Sequence, residues 1–131
     1  MSVVFDTQVL LAFYLGEPSG KEVEKRLEKI IEGEIKGHLN IVNLTELYYI
    51  LYRRSPDLAE EKERTLRGYG LVIVPVDDNT LWKEAAKMKA KHALSLADAF
   101  AVATAKVKKA SLLVGQDAEF DDIDASIERI S

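Results

Sequence analysis

The chain has 131 residues with no cysteine and only two histidines, which excludes a disulfide framework, a thiolate metal centre and a cysteine nucleophile, and leaves little for a histidine-rich zinc site. Its length suits one domain, expected to span residues 1–131, and 47% hydrophobic residues suit a single buried core. The formal net charge of -4 argues against broad electrostatic capture of nucleic acid, although a local basic patch or a bound divalent cation can reverse the sign at one site.

Val3-Val4-Phe5 is a continuous apolar run, as expected of a strand buried on both faces. It follows Met1-Ser2 directly, leaving no room for a signal peptide. No apolar run approaches the roughly 20 residues of a membrane span. No membrane partner and a cytoplasmic location are therefore expected. Asp6-Thr7 joins the strand to an apolar helix carrying Val9, Leu10, Leu11, Ala12 and Phe13, with Asp6 placed to act as its N-cap. Gly16 to Gly20 punctuate the chain, and Lys21 to about Ile31 reads as an amphipathic helix with Val23, Leu27, Ile30 and Ile31 on one side. A second strand is expected over Leu39–Val42. Asn43 then reads as the cap of a helix over Leu47–Arg53, with Glu46 completing a capping box. Leu44, Leu47, Tyr48, Ile50 and Leu51 surround that glutamate, so it needs a partner.

Ser55-Pro56 starts a helix running to near Arg67. Leu71–Val76 is the strongest strand signal, being rich in β-branched residues. Asp77 to Thr80 cap a helix whose Leu81, Trp82, Ala85, Ala86 and Met88 are expected in the core, and His92 reads as a surface residue at its C-terminal end. The stretch Leu94 to Ala105 then sets a lone carboxylate, Asp98, in an otherwise apolar helix with Leu96, Phe100, Ala103 and Val107 at helical spacing. Ser95 and Asp98 form a further capping-box pattern. Ser111–Val114 is a strand, Asp117 a turn residue, and Glu119, Asp121 and Asp122 solvated loop acids; Ser126–Ile130 is a weak edge strand.

Strands alternating with helices predict an α/β fold: a three-layer α/β/α sandwich around a mainly parallel sheet of four to five strands. In such a sheet the strand C-termini and helix starts share one rim, where ligands bind at the reversal of strand order. Asp6, Glu46, Asp98 and Asp117 all fall at such junctions. Two carboxylates about 4 Å apart repel by roughly 4 kcal/mol at an effective dielectric constant near 20, so a cluster of them calls for a cation. Hard oxygen donors without cysteine or paired histidine point to Mg²⁺ or Mn²⁺, and such a site suits hydrolysis of a phosphodiester.

These residues resemble a PIN domain, and the compact size is similar to the VapC-type toxins of toxin-antitoxin pairs. The resemblance rests on the strand ending in Asp6-Thr7 before Leu10-Leu11-Ala12, on Leu44-Thr45-Glu46-Leu47, on Leu94-Ser95-Leu96-Ala97-Asp98-Ala99 and on the strand before Asp117-Ala118-Glu119-Phe120. It implies that Asp6, Glu46, Asp98 and Asp117 ligate one or two Mg²⁺ or Mn²⁺ ions and serve hydrolysis of an RNA substrate, with the Thr7 hydroxyl nearby. It also implies a homodimer and a cognate antitoxin protein, for whose docking Val23, Leu27, Tyr48, Tyr52 and Leu58 are candidates. Arg53, Arg54, Lys106, Lys108 and Lys109 are candidates for phosphate contacts. The family usually carries Thr or Ser two residues before the last acid, where Gly115 stands here, and Asp121 or Asp122 could replace Asp117 as fourth ligand. A haloacid-dehalogenase-like phosphatase is disfavoured because Asp6-Thr7-Gln8 lacks the second acid of Asp-x-Asp, and a response-regulator receiver fits poorly. The alternative reading is a catalytically weak or inactive PIN-like module that binds RNA or a protein.

Overall fold

The computed structural model describes residues 1–131. Its elements in chain order are β1 (Ser2–Phe5), α1 (Thr7–Tyr14), α2 (Gly20–Ile31), β2 (Lys36–Asn40), α3 (Ile41–Arg54), α4 (Pro56–Gly68), β3 (Val72–Val74), α5 (Asn79–Lys91), α6 (Leu96–Lys108), β4 (Ser111–Val114), a 3₁₀ turn (Ala118–Phe120) and β5 (Ile127–Arg129). The five strands form one sheet in the order β3-β2-β1-β4-β5, and every pairing is parallel. Side chains alternate across the pleat. Val3, Phe5, Leu39 and Leu113 enter one apolar core with α1 to α4; Val4, Leu112 and Val114 enter the other with α5 and α6. The three-layer α/β/α arrangement follows from that alternation.

Caps at Ser55, Asp78 and Ser95 behave as the sequence suggests. Ser55 accepts from the Leu58 amide, Asp78 from the amides of Thr80 and Leu81, and Ser95 from the Asp98 amide. Elsewhere local signals lose to neighbours. The expected strand over Leu39–Val42 lies instead at Lys36–Asn40, because the Asn40 side chain accepts from the Val42 amide at 2.8 Å and starts α3 at Ile41. Asn43 is therefore the third residue of the helix rather than its cap. The run Leu71–Val76 pairs only over Val72–Val74: β3 is an edge strand with a single neighbour, and Pro75 has no amide hydrogen to extend the ladder.

Helix faces also differ from the periodic reading. α5 buries Leu81, Ala85 and Met88, a single stripe, which turns Trp82 and Ala86 outward; the Trp82 indole donates to Asn79 at 3.1 Å. In α6 the buried side is Ala99, Ala101, Val102, Ala103, Thr104 and Ala105, whereas Leu96 and Val107 are exposed. Small side chains let this helix lie close to β1, β2 and β4. No helix is long and apolar enough to cross a membrane.

One stability prediction arises here. Leu113, fully buried in the central part of the sheet, leaves a cavity when truncated, so Leu113→Ala should cost about 2–5 kcal/mol in urea unfolding. Val72→Thr, on the half-exposed edge strand, should change stability by less than about 0.5 kcal/mol. Similar costs at the two positions would refute this account of the core.

Candidate active site

β1 lies between β2 and β4, so the chain leaves it toward β2 and β3 on one side and returns to β4 and β5 on the other. The carboxyl end of β1 is thus where strand order reverses, the place at which open α/β sheets bind ligands. Asp6 stands there. Its amide still donates to the Leu113 carbonyl at 3.2 Å, and its backbone is extended, so the residue ends the ladder while α1 starts at the next position. The side chain is 1% exposed, makes no capping hydrogen bond, and leaves Oδ1 without a partner. The capping role expected for Asp6 is not the one it plays. Burial pushes its pKa well above the usual aspartate range; the nearby Asp98 carboxyl pushes the same way, the Thr7 amide pulls against it, and Glu46 adds a smaller push upward. A buried carboxyl whose proton affinity is raised by neighbouring carboxyls favours a bound proton or a cation.

Asp98 is brought to Asp6 by a route that strand-helix junctions do not describe. α6 follows α5, not a strand, and reaches the rim because it runs back to the start of β4. Ser95 accepts from the Asp98 amide at 3.1 Å, which fixes the first turn and leaves the carboxyl to face its neighbours. One of them is Glu119, which the sequence alone presents as a solvated loop acid. Its hydrogen bond with Asp98, partial desolvation and the charges of Asp98 and Asp117 push its pKa up to about 7. Only the 3₁₀ turn after β4 makes that approach visible. Glu46, in the second turn of α3, is half-buried and acts on Asp6 through its charge; Asp117 is exposed and acts on Glu119. Asp98 is the middle of the group. As the side chains stand, no three of them close into a cage around one point.

Two further groups organise the rim. The Thr7 hydroxyl donates to the Asn43 carbonyl at 3.3 Å and accepts from Asn43 Nδ2 at 3.2 Å, so it is engaged with α3. Arg129 Nη1 donates to the carbonyls of Gly115 and Asp117 at 3.0 and 2.9 Å, and Nη2 to Asp121 at 2.6 Å. That arginine holds the loop carrying Asp117 and occupies the carboxylate of Asp121. A Cβ added at Gly115 would meet nothing within 4 Å, so the missing hydroxyl reflects no lack of space.

Several candidate contacts fall elsewhere. Lys106, Lys108 and Lys109 sit at the C-terminal end of α6, about 12–16 Å along the axis from Asp98 at 1.5 Å per residue. Lys106 pairs there with Glu84 at 3.3 Å. Arg53 lies over the Tyr49 ring, about two turns beyond Glu46. Val23 and Leu27 are fully buried under the sheet and offer no docking surface, whereas Tyr52 is exposed and Tyr48 and Leu58 are half-buried. One concavity lies beside Met1, Lys109 and Ser126 at the opposite rim and another between α3 and α4, and neither is lined by the four acids.

The PIN domain model matches residues 3–126. Among solved structures, VapBC2 from Rickettsia felis bound to a promoter DNA fragment superposes with a TM-score of 0.78 at 15% identity, covering 98% of both chains. DNA-bound VapBC from Salmonella typhimurium gives 0.77 at 14% identity and 98% of both chains. A toxin-antitoxin complex from Klebsiella pneumoniae gives 0.73 at 16% identity, with 96% of this chain and 95% of that one covered. No curated protein matches in sequence. At such identities the structures speak for the fold alone, and the family match carries the assignment: the chain belongs to the PIN domain family.

Proposed function

We propose that this protein is a Mg²⁺- or Mn²⁺-dependent endoribonuclease, acting as the toxin of a toxin-antitoxin pair, with Asp6, Glu46, Asp98 and Asp117 as ligands and catalytic acids. One observation carries the reading: a buried Asp6 with a partnerless oxygen at the strand-order reversal, its proton affinity raised by burial and by the nearby acids Asp98 and Glu46. A structural aspartate at that position would cap α1, and this one does not. Hard carboxylate oxygens fit either ion, and a proton shared between carboxyls is what a cation replaces on binding. PIN domains are generally nucleases that use a divalent metal, which supports the same conclusion. Bound there, the ion would polarise a phosphate and lower the pKa of a bound water. The chain's own part is to hold the carboxylates together against their repulsion and to keep Asp6 out of bulk water.

The similar structures are toxin-antitoxin complexes, which supports an antitoxin as partner of this chain. The groove between α3 and α4, with Ile41, Leu44 and Tyr48 on its wall and exposed Tyr52 nearby, is its proposed seat. A cytoplasmic homodimer, each copy working as one domain over residues 1–131, completes the proposal. Purified protein should cleave RNA with Mn²⁺ or Mg²⁺ and stop on addition of chelator. If RNA is bound but never cut with either ion, the inactive-module alternative replaces the nuclease. Gly115→Ser restores the hydroxyl usual in the family into open space; it should leave the melting temperature within about 1–2 °C, as a surface change away from packed contacts does, and raise the cleavage rate. A lower rate would show that the glycine serves this site as it is.

A further inference from the structure

Asn43 has a fully buried side chain whose Nδ2 donates to Thr7 Oγ1 at 3.2 Å and to the Ala97 carbonyl at 3.0 Å, while its Oδ1 has no partner. Each acceptor is the immediate neighbour of an acid: Thr7 follows Asp6, and Ala97 precedes Asp98. Asn43 itself precedes Glu46 by three residues, which places both near one side of α3. A single amide group thus ties the starts of α1, α3 and α6, the three elements that supply Asp6, Glu46 and Asp98. Like charges at those starts repel, and hydrogen bonds of this length tolerate only small displacements. A side chain retained only to fill the interior would not carry an amide oxygen that finds no donor. A second tie joins the same helices farther away, from Asn40 Nδ2 to Thr104 Oγ1 at 2.9 Å, two turns along α6 from Asp98.

We infer that Asn43 is a positioning residue that sets the separation of the three acids, and so the affinity of the site for its divalent ion, beyond any share in holding the fold. The inference rests on the metal-centre reading above. The test is Mn²⁺ titration calorimetry on the native chain and three folded variants, each also followed by thermal unfolding. Asn43→Leu, similar in size but without the donor, should weaken Mn²⁺ binding at least tenfold; should it not fold, Asn43→Ala takes its place. Thr7→Val removes one acceptor and should weaken binding about threefold or more. Thr104→Val, which breaks the distant tie, should lower the melting temperature yet leave Mn²⁺ affinity within twofold of native.

The inference is overturned if the Asn43 variants bind Mn²⁺ as the native chain does, or if Thr104→Val loses as much affinity as they do, since the effect is then one of general stability. It is also overturned if Thr7→Val loses affinity while Asn43→Leu does not, because the hydroxyl would then act on the ion directly. A native chain that binds no Mn²⁺ brings down the metal centre itself and the inference with it, an outcome distinct from native binding with unaffected variants.

Discussion

Asp6→Asn should raise the melting temperature of the metal-free protein and, in the same molecule, abolish RNA cleavage. Both effects follow from the raised pKa of this carboxyl, whose causes are burial first and Asp98 second. A folded-state pKa above the unfolded one means that the folded state holds the proton more tightly. The stability it contributes is then full below the ordinary aspartate range and is lost as pH rises through the folded value. Above the ordinary aspartate range the native protein carries that loss, and an asparagine, with no charge to bury, does not. The order should invert with metal. Mn²⁺ at 100 times its dissociation constant adds about 2.7 kcal/mol to the native fold, on the order of 10 °C for a domain of this size, and should add little to the variant. The drop in Mn²⁺ affinity and rate should exceed the roughly 10 to 100-fold that losing a group which merely supports a ligand costs. Scanning calorimetry of both proteins with and without Mn²⁺ measures this. A variant less stable than native without metal, or equally stabilised by it, would overturn the assignment of Asp6.

Mn²⁺ affinity should rise with pH and level off above about 7, and Glu119→Gln should remove much of that rise. Glu119 shares a hydrogen bond with Asp98 and has its pKa pushed up to about 7, chiefly by that bond. An ion that takes the Asp98 oxygens displaces the shared proton, so below that pH each binding event must release it. One released proton means a tenfold gain in affinity per pH unit, and the gain ends once the group is ionised in the free protein. Glutamine cannot release a proton, so the slope of log affinity against pH should fall by about one unit between pH 5.5 and 7; any slope remaining belongs to Asp6, also raised. Titration calorimetry at four pH values in buffers of different ionisation enthalpy counts the protons directly. An unchanged slope in Glu119→Gln would show that Glu119 is a bystander.

Glu119 also marks where sequence reasoning stopped. In a run of loop acids nothing distinguishes it from Asp121, yet one has its proton affinity raised by Asp98 and the other is held by Arg129 at 2.6 Å. Asn43 is the parallel case on the helical side. With Glu46 three residues on, it satisfies a capping pattern, but Asn40 captured the Val42 amide first, and the freed side chain turned inward to Thr7 and Ala97. Capping patterns overlap along a chain, and which one is used depends on where the preceding strand stops pairing. The exposed Leu96 and Val107 of α6 show the same limit for periodicity. Two apolar stripes were available, and close approach to the sheet favoured the one built of alanines.

What the residues determine unaided is local in cause. Alternating strand and helix, the caps at Ser55, Asp78 and Ser95, and the placing of Asp6, Glu46, Asp98 and Asp117 near element starts all depend on interactions within a turn or two of the chain. The tertiary structure decided which of those acids meet: Asp98 comes near Asp6 and Glu119 because α6 is laid across the sheet beside β1, β2 and β4, and the 3₁₀ turn after β4 carries Glu119. A carboxyl group's proton affinity depends on the water and charge around it, and here both are supplied by segments that are distant along the chain.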